Sequence, residues 1–387
     1  MLRHIRNLAL SLISVVTISA AATPLAAQSP TLLQLQAGNP LGDRLKVDSA
    51  GGFSAFGFVR DVGGSSGCAS QIPAAGAGTR FMWFPCRGSV RFGRVPAGKT
   101  NWDDVNMDDF TFAGGNDVTA DGYGAFAYGD QVKVTSTVGV GFGSGVTVSG
   151  TAGFSAGVSN KCTGFACVAL GYTNHAGGQG SVALGYRVTA NADYAVALGY
   201  RASNSGHTGT FVWGDESTMD TVRNQANNEF RIRAAGGIRL RTSSASNAAA
   251  GANGNTGCDL APGSGSWSCA SSRYVKENVA EVDGQDVLEK LRTMPVTTWN
   301  YITESKEVRH MGPFAQDFYS AFQLGTDSAS IGMIDINGVN LAAIKALEER
   351  TSELKAAQTA LDEKAARLGQ LEERVAHLEN VLRKKLK

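Results

Sequence analysis

The chain has little net charge, few histidines and no closely spaced cysteine pair of the metal-binding type. Of its 387 residues, 35 are Lys or Arg and 34 are Asp or Glu, which leaves a formal charge of +1. Such a balance offers no basic surface for phosphates, so we expect no nucleic-acid partner. The five histidines are scattered and no C-x-x-C spacing occurs. We therefore expect neither a metal nor a cofactor.

Charged residues are scarce before Ser271, and glycines are scarce after it. Of the 48 glycines, 42 precede Ser271, whereas 34 of the 69 charged residues lie in the last 117 positions. This abrupt change predicts that two different kinds of structure meet between Ala270 and Ser271. The part before the junction is glycine-rich and repetitive, and the part after it has a helical pattern.

The one long apolar run lies near the N-terminus. Arg3 and Arg6 precede apolar residues 8–22, and small residues near Ala27 follow. We interpret residues 1–27 as a signal peptide and expect export to the periplasm, the cell surface or the extracellular space. A buried helix or a membrane anchor is disfavoured because the run is short for a membrane span. We expect no integral membrane anchor.

The six cysteines form three pairs of neighbours in the sequence. The pairs are Cys68 with Cys86, Cys162 with Cys167, and Cys258 with Cys269. In an exported chain, such close pairing suggests three loop-closing disulfides, although spacing alone leaves the connectivity open.

Residues 28–109 are predicted to be irregular and β-rich. Phe53, Phe56 and Phe58 alternate as in a half-buried strand, and residues 80–88 resemble a buried strand that ends in a turn. A row of aromatic residues could also form a carbohydrate platform. Core packing is favoured because phenylalanine, rather than tryptophan or tyrosine, dominates here.

A 14-residue repeat fills residues 110–220. Its glycines recur without a break at Gly115, Gly129, Gly143, Gly157, Gly171, Gly185 and Gly199. The period is too short for a helical repeat and suits one coil of a parallel β-solenoid. Small Ala and Gly residues are expected to let coils stack closely, with Val, Leu and Phe in the interior. Because one such coil buries little apolar surface, we expect a core shared between several chains.

The repeat resembles the head repeats of trimeric autotransporter adhesins of the YadA type. The clearest copies are VALGYRVTANADYA and VALGYRASNSGHTG. The resemblance implies a mostly β fold, a trimeric left-handed parallel β-roll, and an adhesin-like role with a surface glycan or protein receptor as candidate ligand. We expect no counterpart of that family's C-terminal membrane anchor.

Two further segments precede the junction. Residues 221–242 are predicted to form a β-hairpin that turns at Gly236 and Gly237. The four arginines of its two strands, Arg231, Arg233, Arg239 and Arg241, are interpreted as a solvated sheet face rather than an anion site. Residues 243–270 are rich in Ser, Ala, Asn and Gly and are interpreted as a linker.

Residues 271–340 have the pattern of a small α+β domain. Residues 287–291 and the segment after Arg309 predict helices, residues 296–301 predict a strand, and residues 335–340 predict a hairpin or turn. Residues 341–387 predict a coiled coil, because one seven-residue series holds Leu347, Leu354, Leu361, Leu368, Val375 and Leu382. The companion series shifts phase, which predicts a locally irregular bundle.

A series of motif residues runs through the last 117 positions: Ser271, Arg273, Lys276, Asn278, Trp299, Tyr301, Gly312, Ala315, Gln316, Asp335 and Gly338. In their order and spacing, these residues resemble the C-terminal intramolecular chaperone of phage tailspikes and tail fibres, of the endosialidase type. Two positions depart from the family pattern. Ser272 stands where the family has aspartate, and the arginine comes one place early.

This second resemblance implies that the domain trimerises, helps a fibre to fold, and then cuts the chain between Ala270 and Ser271. Ser271 and Lys276 would be the catalytic pair of a single-turnover serine autoprotease, not a general protease. A serine needs a base within reach, and a lysine is a base only when neutral, which requires burial or a nearby positive charge. In an ideal α-helix these positions would lie about 140° apart. The turn must therefore be non-ideal, or the lysine must come from a neighbouring chain.

Several alternatives stay open. Ser271 could simply be a helix N-cap, with Ser272 as a second candidate, in a domain that trimerises without cutting. The protein could be a purely structural or glycan-binding trimer. A glycan-degrading enzyme would need two facing carboxylates. The available acidic cluster has no recognisable motif; it consists of Asp103, Asp104, Asp108 and Asp109.

Overall fold

The structure, a computed structural model, describes residues 31–37, 42–48, 53–55, 72–244, 249–252 and 254–386. The predicted signal peptide lies outside these residues, as do Phe56, Phe58 and Cys68. The chain divides into two compact units, Met1–Ala270 and Ser271–Lys387. Among the helices within the described ranges, none is long and apolar enough to cross a membrane.

The first unit begins with antiparallel strands. Strands β1 (Thr31–Ala37), β2 (Gly42–Asp48) and β3 (Phe53–Ala55) form one sheet. Strands β4 (Gly78–Phe84) and β5 (Ser89–Val95) form a hairpin. Because β5 also pairs in parallel with the strand that follows it, this hairpin forms one edge of a long parallel sheet.

A parallel β-solenoid follows, in which longer strands alternate with two-residue strands. In chain order these are β6 (Phe112–Asn116), β7 (Thr119–Ala120), β8 (Phe126–Asp130), β9 (Lys133–Val134), β10 (Val140–Ser144), β11 (Thr147–Val148), β12 (Phe154–Val158), β13 (Lys161–Cys162), β14 (Val168–Tyr172), β15 (His175–Ala176), β16 (Val182–Tyr186), β17 (Thr189–Ala190), β18 (Val196–Tyr200), β19 (Ala202–Ser203), β20 (Phe211–Gly214), β21 (Val222–Arg223) and β22 (Phe230–Arg233). The longer strands stack in one sheet and the short ones in a second. The prediction of a mostly β protein with a β-roll is confirmed.

Close stacking of the coils explains the glycine at every fourteenth position. Gly143 has a φ of 116°, and a Cβ atom there would lie 1.9 Å from the carbonyl oxygen of Gly157 in the next coil. An L side chain is disfavoured by such a backbone conformation, and it would also collide with the neighbouring coil. The expectation that small residues allow the coils to stack is confirmed.

Small side chains occupy much of the interior of the roll. It is filled by the second residue of each longer strand, which is alanine in most strands, as in Ala169 and Ala183, and by inward-facing residues of the short strands such as Val134 and Val148, all four fully buried. Side chains alternate across a strand, so the residues beside each alanine point away from this interior. The prediction that Val, Leu and Phe fill it is wrong for these flanking residues. The half-buried ones form an apolar sheet face: Val168, Leu170, Val182, Leu184, Val196 and Leu198.

The predicted hairpin at 221–242 and linker at 243–270 are both wrong. Strand β22 joins the solenoid in parallel with β20. Strand β23 (Ile238–Arg241) instead pairs antiparallel with β24 (Gly257–Leu260), and β25 (Trp267–Cys269) completes a three-stranded sheet. A period of two predicts strands but not their partners, and here the partner of β23 lies beyond the adjacent turn.

Disulfides join neighbouring parts of the first unit. Cys162 is bonded to Cys167 inside the roll, and Cys258 is bonded to Cys269 between β24 and β25. Cys86 is also disulfide-bonded. Its predicted partner, Cys68, lies outside the described residues.

The second unit is small and mixed. It contains α1 (Gly284–Thr293), β26 (Thr297–Trp299), β27 (His310–Gly312), α2 (Ala315–Phe322) and α3 (Met333–Lys385). The strands pair antiparallel, and the core centres on Val287, Phe318, Val339 and Ala343. The predicted helices and strand before residue 323 are confirmed. The predicted turn at 335–340 is wrong: this segment is helical, because packing of Val339 into the core outweighs the weak helix propensity of its Asn and Gly residues.

The predicted seven-residue series lies along α3 and is exposed in the single chain. Its members from Leu347 to Leu382 are between 50% and 63% exposed. A stripe of large apolar side chains at this spacing is suited to helices of other chains. The coiled coil stays a prediction.

Candidate functional site

The second unit starts with a short turn that follows the junction. Ser272 has an extended backbone, residues Arg273–Val275 form one turn of 3₁₀-helix, and Lys276 is extended again. The chain therefore enters and leaves the turn in extended conformation. This path is the non-ideal turn that a close approach of positions 271 and 276 requires.

The turn brings together the two predicted catalytic residues. Lys276 Nζ donates a hydrogen bond to Ser271 Oγ at 2.8 Å. Both residues belong to one chain, so no lysine from a neighbour is needed for this contact. The distance is that of a nucleophile and its base in covalent catalysis.

For Lys276 to act as a base toward Ser271, its amine must be neutral. The ammonium form of a lysine can only donate, whereas a base must accept the hydroxyl proton through a neutral amine. Ser271 and Lys276 are both exposed in the single chain. Burial favours the neutral form of a lysine because it disfavours charge. The arrangement is thus positioned for proton transfer, and covering the turn would favour it.

The N-cap of the turn is Ser272 and not Ser271. Ser272 Oγ accepts a hydrogen bond from the backbone N–H of Tyr274 at 3.3 Å. Aspartate is among the best N-cap residues, so serine at the family's aspartate position supplies the same kind of acceptor. The sequence offered Ser272 as the second N-cap candidate after Ser271, and the structure places the cap at Ser272. It leaves the hydroxyl of Ser271 to Lys276.

A second group of motif residues clusters on the β26–β27 hairpin. The rings of Trp299, Tyr301 and His310 lie 4.8 to 5.6 Å apart, centroid to centroid. His310 Nε2 lies 2.8 Å from Glu304 Oε2. Trp299 and Tyr301 were singled out from the sequence, whereas His310 and Glu304 were not. Their contact depends on strand pairing, which sequence spacing does not reveal.

The acidic cluster of the first unit is engaged in structural contacts. Asp104 and Asp109 are ion-paired with Arg87 at 3.0 and 3.6 Å. Asp103 Oδ1 accepts the backbone N–H of Gly76 at 2.6 Å. These contacts explain the cluster without a catalytic role. In the described part of the chain, no group of His, Cys, Asp and Glu side chains is arranged to hold a metal ion.

Three of the four arginines on the predicted hairpin strands are ion-paired. Arg231 pairs with Glu229, Arg233 with Asp215, and Arg241 with Asp259. Hydrogen bonds from the Ser217 hydroxyl, the Ala235 backbone and Arg233 lower the pKa of Asp215 to about 2. These arginines are neither a simple solvated face nor an open anion site.

Two known family models match the chain, one in the solenoid and one in the second unit. Residues 271–324 match a peptidase family model described as the chaperone of endosialidase. Residues 168–187 and 189–202 match two copies of the YadA head domain repeat. The chain carries YadA head repeats followed by an endosialidase-type chaperone domain. It is thus adhesin-like or tail-fibre-like in its domains, which points to an extracellular or surface location. No curated protein matches the chain.

Proposed function

We propose that the protein is an exported homotrimer whose C-terminal domain drives assembly and then cuts the chain between Ala270 and Ser271. The observation that carries this proposal is the 2.8 Å contact between Lys276 Nζ and Ser271 Oγ. The pair lies at the first residues of the chaperone domain, where one cut releases the adhesin-like part. The domain acts once on its own chain and is not a general protease.

The chemistry needs no group beyond this pair and water. Neutral Lys276 takes the hydroxyl proton of Ser271, and Oγ attacks the Ala270 carbonyl carbon. The C–N bond breaks as the Ser271 nitrogen receives a proton, which leaves an ester between Ala270 and Oγ. Water then hydrolyses the ester. The products are a chain that ends in the Ala270 carboxylate and a chain that begins with the free amine of Ser271.

Exposed apolar surfaces support the trimer. The apolar sheet face of the roll and the leucine series of α3 both leave large side chains accessible in one chain. Contiguous apolar surfaces of this kind mark interfaces in exported soluble proteins. Assembly would also cover the junction, which links cutting to completion of the fold.

The test is expression of the full chain followed by denaturing electrophoresis and N-terminal sequencing. We expect a fragment that begins at Ser271, and we expect Ser271→Ala to abolish it while the trimer still forms. Lys276→Arg should abolish cutting as well, because a guanidinium keeps the positive charge but does not act as a base.

Ser271→Cys is the matched control, because a thiol preserves the nucleophile at the same position. Partial cutting by this variant, with none by Ser271→Ala, would assign the nucleophile. A wild-type trimer that stays intact would contradict the cleavage step. The domain would then be a trimerisation chaperone that does not cut, carried by a structural or glycan-binding fibre.

Release of sugar from a bound glycan would instead indicate a glycan-degrading enzyme. The structural contacts of the acidic cluster argue against that candidate. A glycan array on the released trimer tests whether it binds a surface glycan, and a binding screen against surface proteins tests for a protein receptor.

A further inference from the structure

One aromatic side chain at the junction is almost fully solvated. We define the junction arm as residues 271–282. Tyr274, which lies between the nucleophile and the base in sequence, is 94% exposed, and Val279 and Val282 on the same arm are 83% and 67% exposed. The side chain of Tyr274 is therefore almost free of contacts with the described residues of its own chain. Exposed apolar groups that cluster beside a site indicate a contact surface.

The same domain contains a cavity of suitable size. The aromatic cavity, about 570 Å³ in volume, is lined by Trp299, Asn300, Tyr301, Ile302, Pro313, Phe314, Ala315, Gln316, Ala329, Ser330 and Ile331. At its rim, Tyr301, Ile302 and Phe314 are 60%, 102% and 51% exposed. Cavities of this volume accept ring-sized groups, and aromatic walls favour an aromatic guest.

Complementary charges also lie next to the arm tyrosine and the cavity lining. Arg273 precedes Tyr274 on the arm, and Asp317 follows the cavity residue Gln316. Neither is ion-paired within the described residues, so their charges are complementary and available.

The arm is long enough to reach another chain. Its last residue, Val282, contacts its own domain beside α1, where Asp283 is the helix N-cap. Residues 277–282 lie in no helix or strand of the described fold. The span from Tyr274 to Asp283 can extend to about 30 Å. This length is enough to reach a neighbouring subunit.

We propose that Tyr274 of one subunit docks into the aromatic cavity of a neighbouring subunit, and that this contact covers the Ser271–Lys276 pair. The inference rests on the proposed trimer and its self-cleavage. In this arrangement, the neighbouring subunit completes the site around Ser271 and Lys276. Each subunit then supplies its own nucleophile and base, and receives from the next subunit the surface that excludes water.

The first test uses two blocking variants of the full chain. Tyr274→Ala removes the guest, and Ala329→Trp fills the cavity from an exposed position. Each should slow cutting about tenfold or more, while sedimentation still shows a trimer. Ser328→Trp adds the same bulk one residue outside the lining and should cut normally. Normal cutting by both blocking variants would overturn the proposal.

Mixed trimers then separate docking between subunits from docking within one. When differently tagged Tyr274→Ala and Ala329→Trp chains fold together, an Ala329→Trp chain can dock its tyrosine into a Tyr274→Ala neighbour. We expect cutting to return in roughly half of the Ala329→Trp chains at equal mixing, and not in the Tyr274→Ala chains. No recovery in either chain would overturn the proposal.

A photocrosslink makes the result independent of cleavage. In a Ser271→Ala background, a benzophenone side chain in place of Tyr274 should give covalent dimers, with the crosslink in peptides that contain residues 299–302, 313–316 or 329–331. A trimer without such crosslinks would contradict this inference alone. Absence of a trimer would contradict the proposed function.

Discussion

The solenoid of the first unit and the helical second unit differ in how much apolar surface one chain can bury. In the roll, inward-facing residues of both kinds of strand, such as Ala169 and Val148, are fully buried, and each coil bonds to the next along two sheets. In the second unit, the buried core is only a few residues around Val287 and Phe318, while the leucine series of α3 stays exposed. A solenoid gains stability coil by coil, whereas the second unit has a long apolar stripe that one chain leaves exposed.

The largest expected effect tests the solenoid. Gly143→Ala should destabilise the roll by about 4 kcal/mol or more, because its Cβ would lie 1.9 Å from Gly157 O at a φ of 116°. Thermal unfolding of the full chain measures this change in stability. Gly236→Ala is the control, since a Cβ there meets nothing within 4 Å. Equal effects at both positions would contradict the stacking explanation.

The next prediction tests the second unit. Leu361→Asp should weaken trimer assembly by about 2 kcal/mol or more, since it places a charge in the seven-residue series. It should leave monomeric α3 helical, because Leu361 is already 60% exposed in one chain. Sedimentation measures trimer assembly, and circular dichroism measures the helicity of α3. Ala360→Asp, on the adjacent position outside the series, should leave assembly unchanged; a similar loss would contradict the coiled coil.

A smaller effect is expected at the turn itself. Ser272→Ala removes the N-cap of the 3₁₀ turn and should cost about 1 kcal/mol of local stability, with slower cutting. Ser272→Asp should cut at least as fast as wild type, because a carboxylate also caps. Timed denaturing gels measure the rate. If Ser272→Ala and Ser272→Asp behave alike, the capping explanation is wrong.

The smallest effect is pH dependence at the end of the solenoid. The folded pKa of Asp215 is lowered to about 2, first by the Ser217 hydroxyl and also by Ala235 and Arg233. The contribution of Asp215 to folding stability is therefore present above the ordinary aspartate pKa and is lost as the pH falls through about 2. Asp215→Asn should lower the stability near neutral pH, and its difference from wild type should shrink as the pH falls through that range. Asp220→Asn is the control, because Arg233 contacts only the backbone carbonyl of Asp220.

Sequence periodicity was sufficient where one chemical rule controls the structure. The glycine spacing predicts the solenoid because only glycine fits between stacked coils, and the helices before residue 323 follow from apolar periodicity. Sequence periodicity failed where the local structure depends on contact with a second segment of the chain. Strand β23 pairs with residues 257–260, and residues 335–340 become helical through core packing. The aromatic group with His310 and Glu304 likewise forms only when β26 and β27 pair.

The junction shows both contributions. The resemblance of the sequence to the chaperone family implied Ser271 and Lys276 as a pair, and their spacing disfavoured an ideal helix between them, since helical geometry depends only on spacing. The tertiary structure alone decided that the extended–3₁₀–extended path brings the two side chains to 2.8 Å within one chain. It also decided that Ser272 caps the turn, because a cap depends on backbone angles that spacing does not specify.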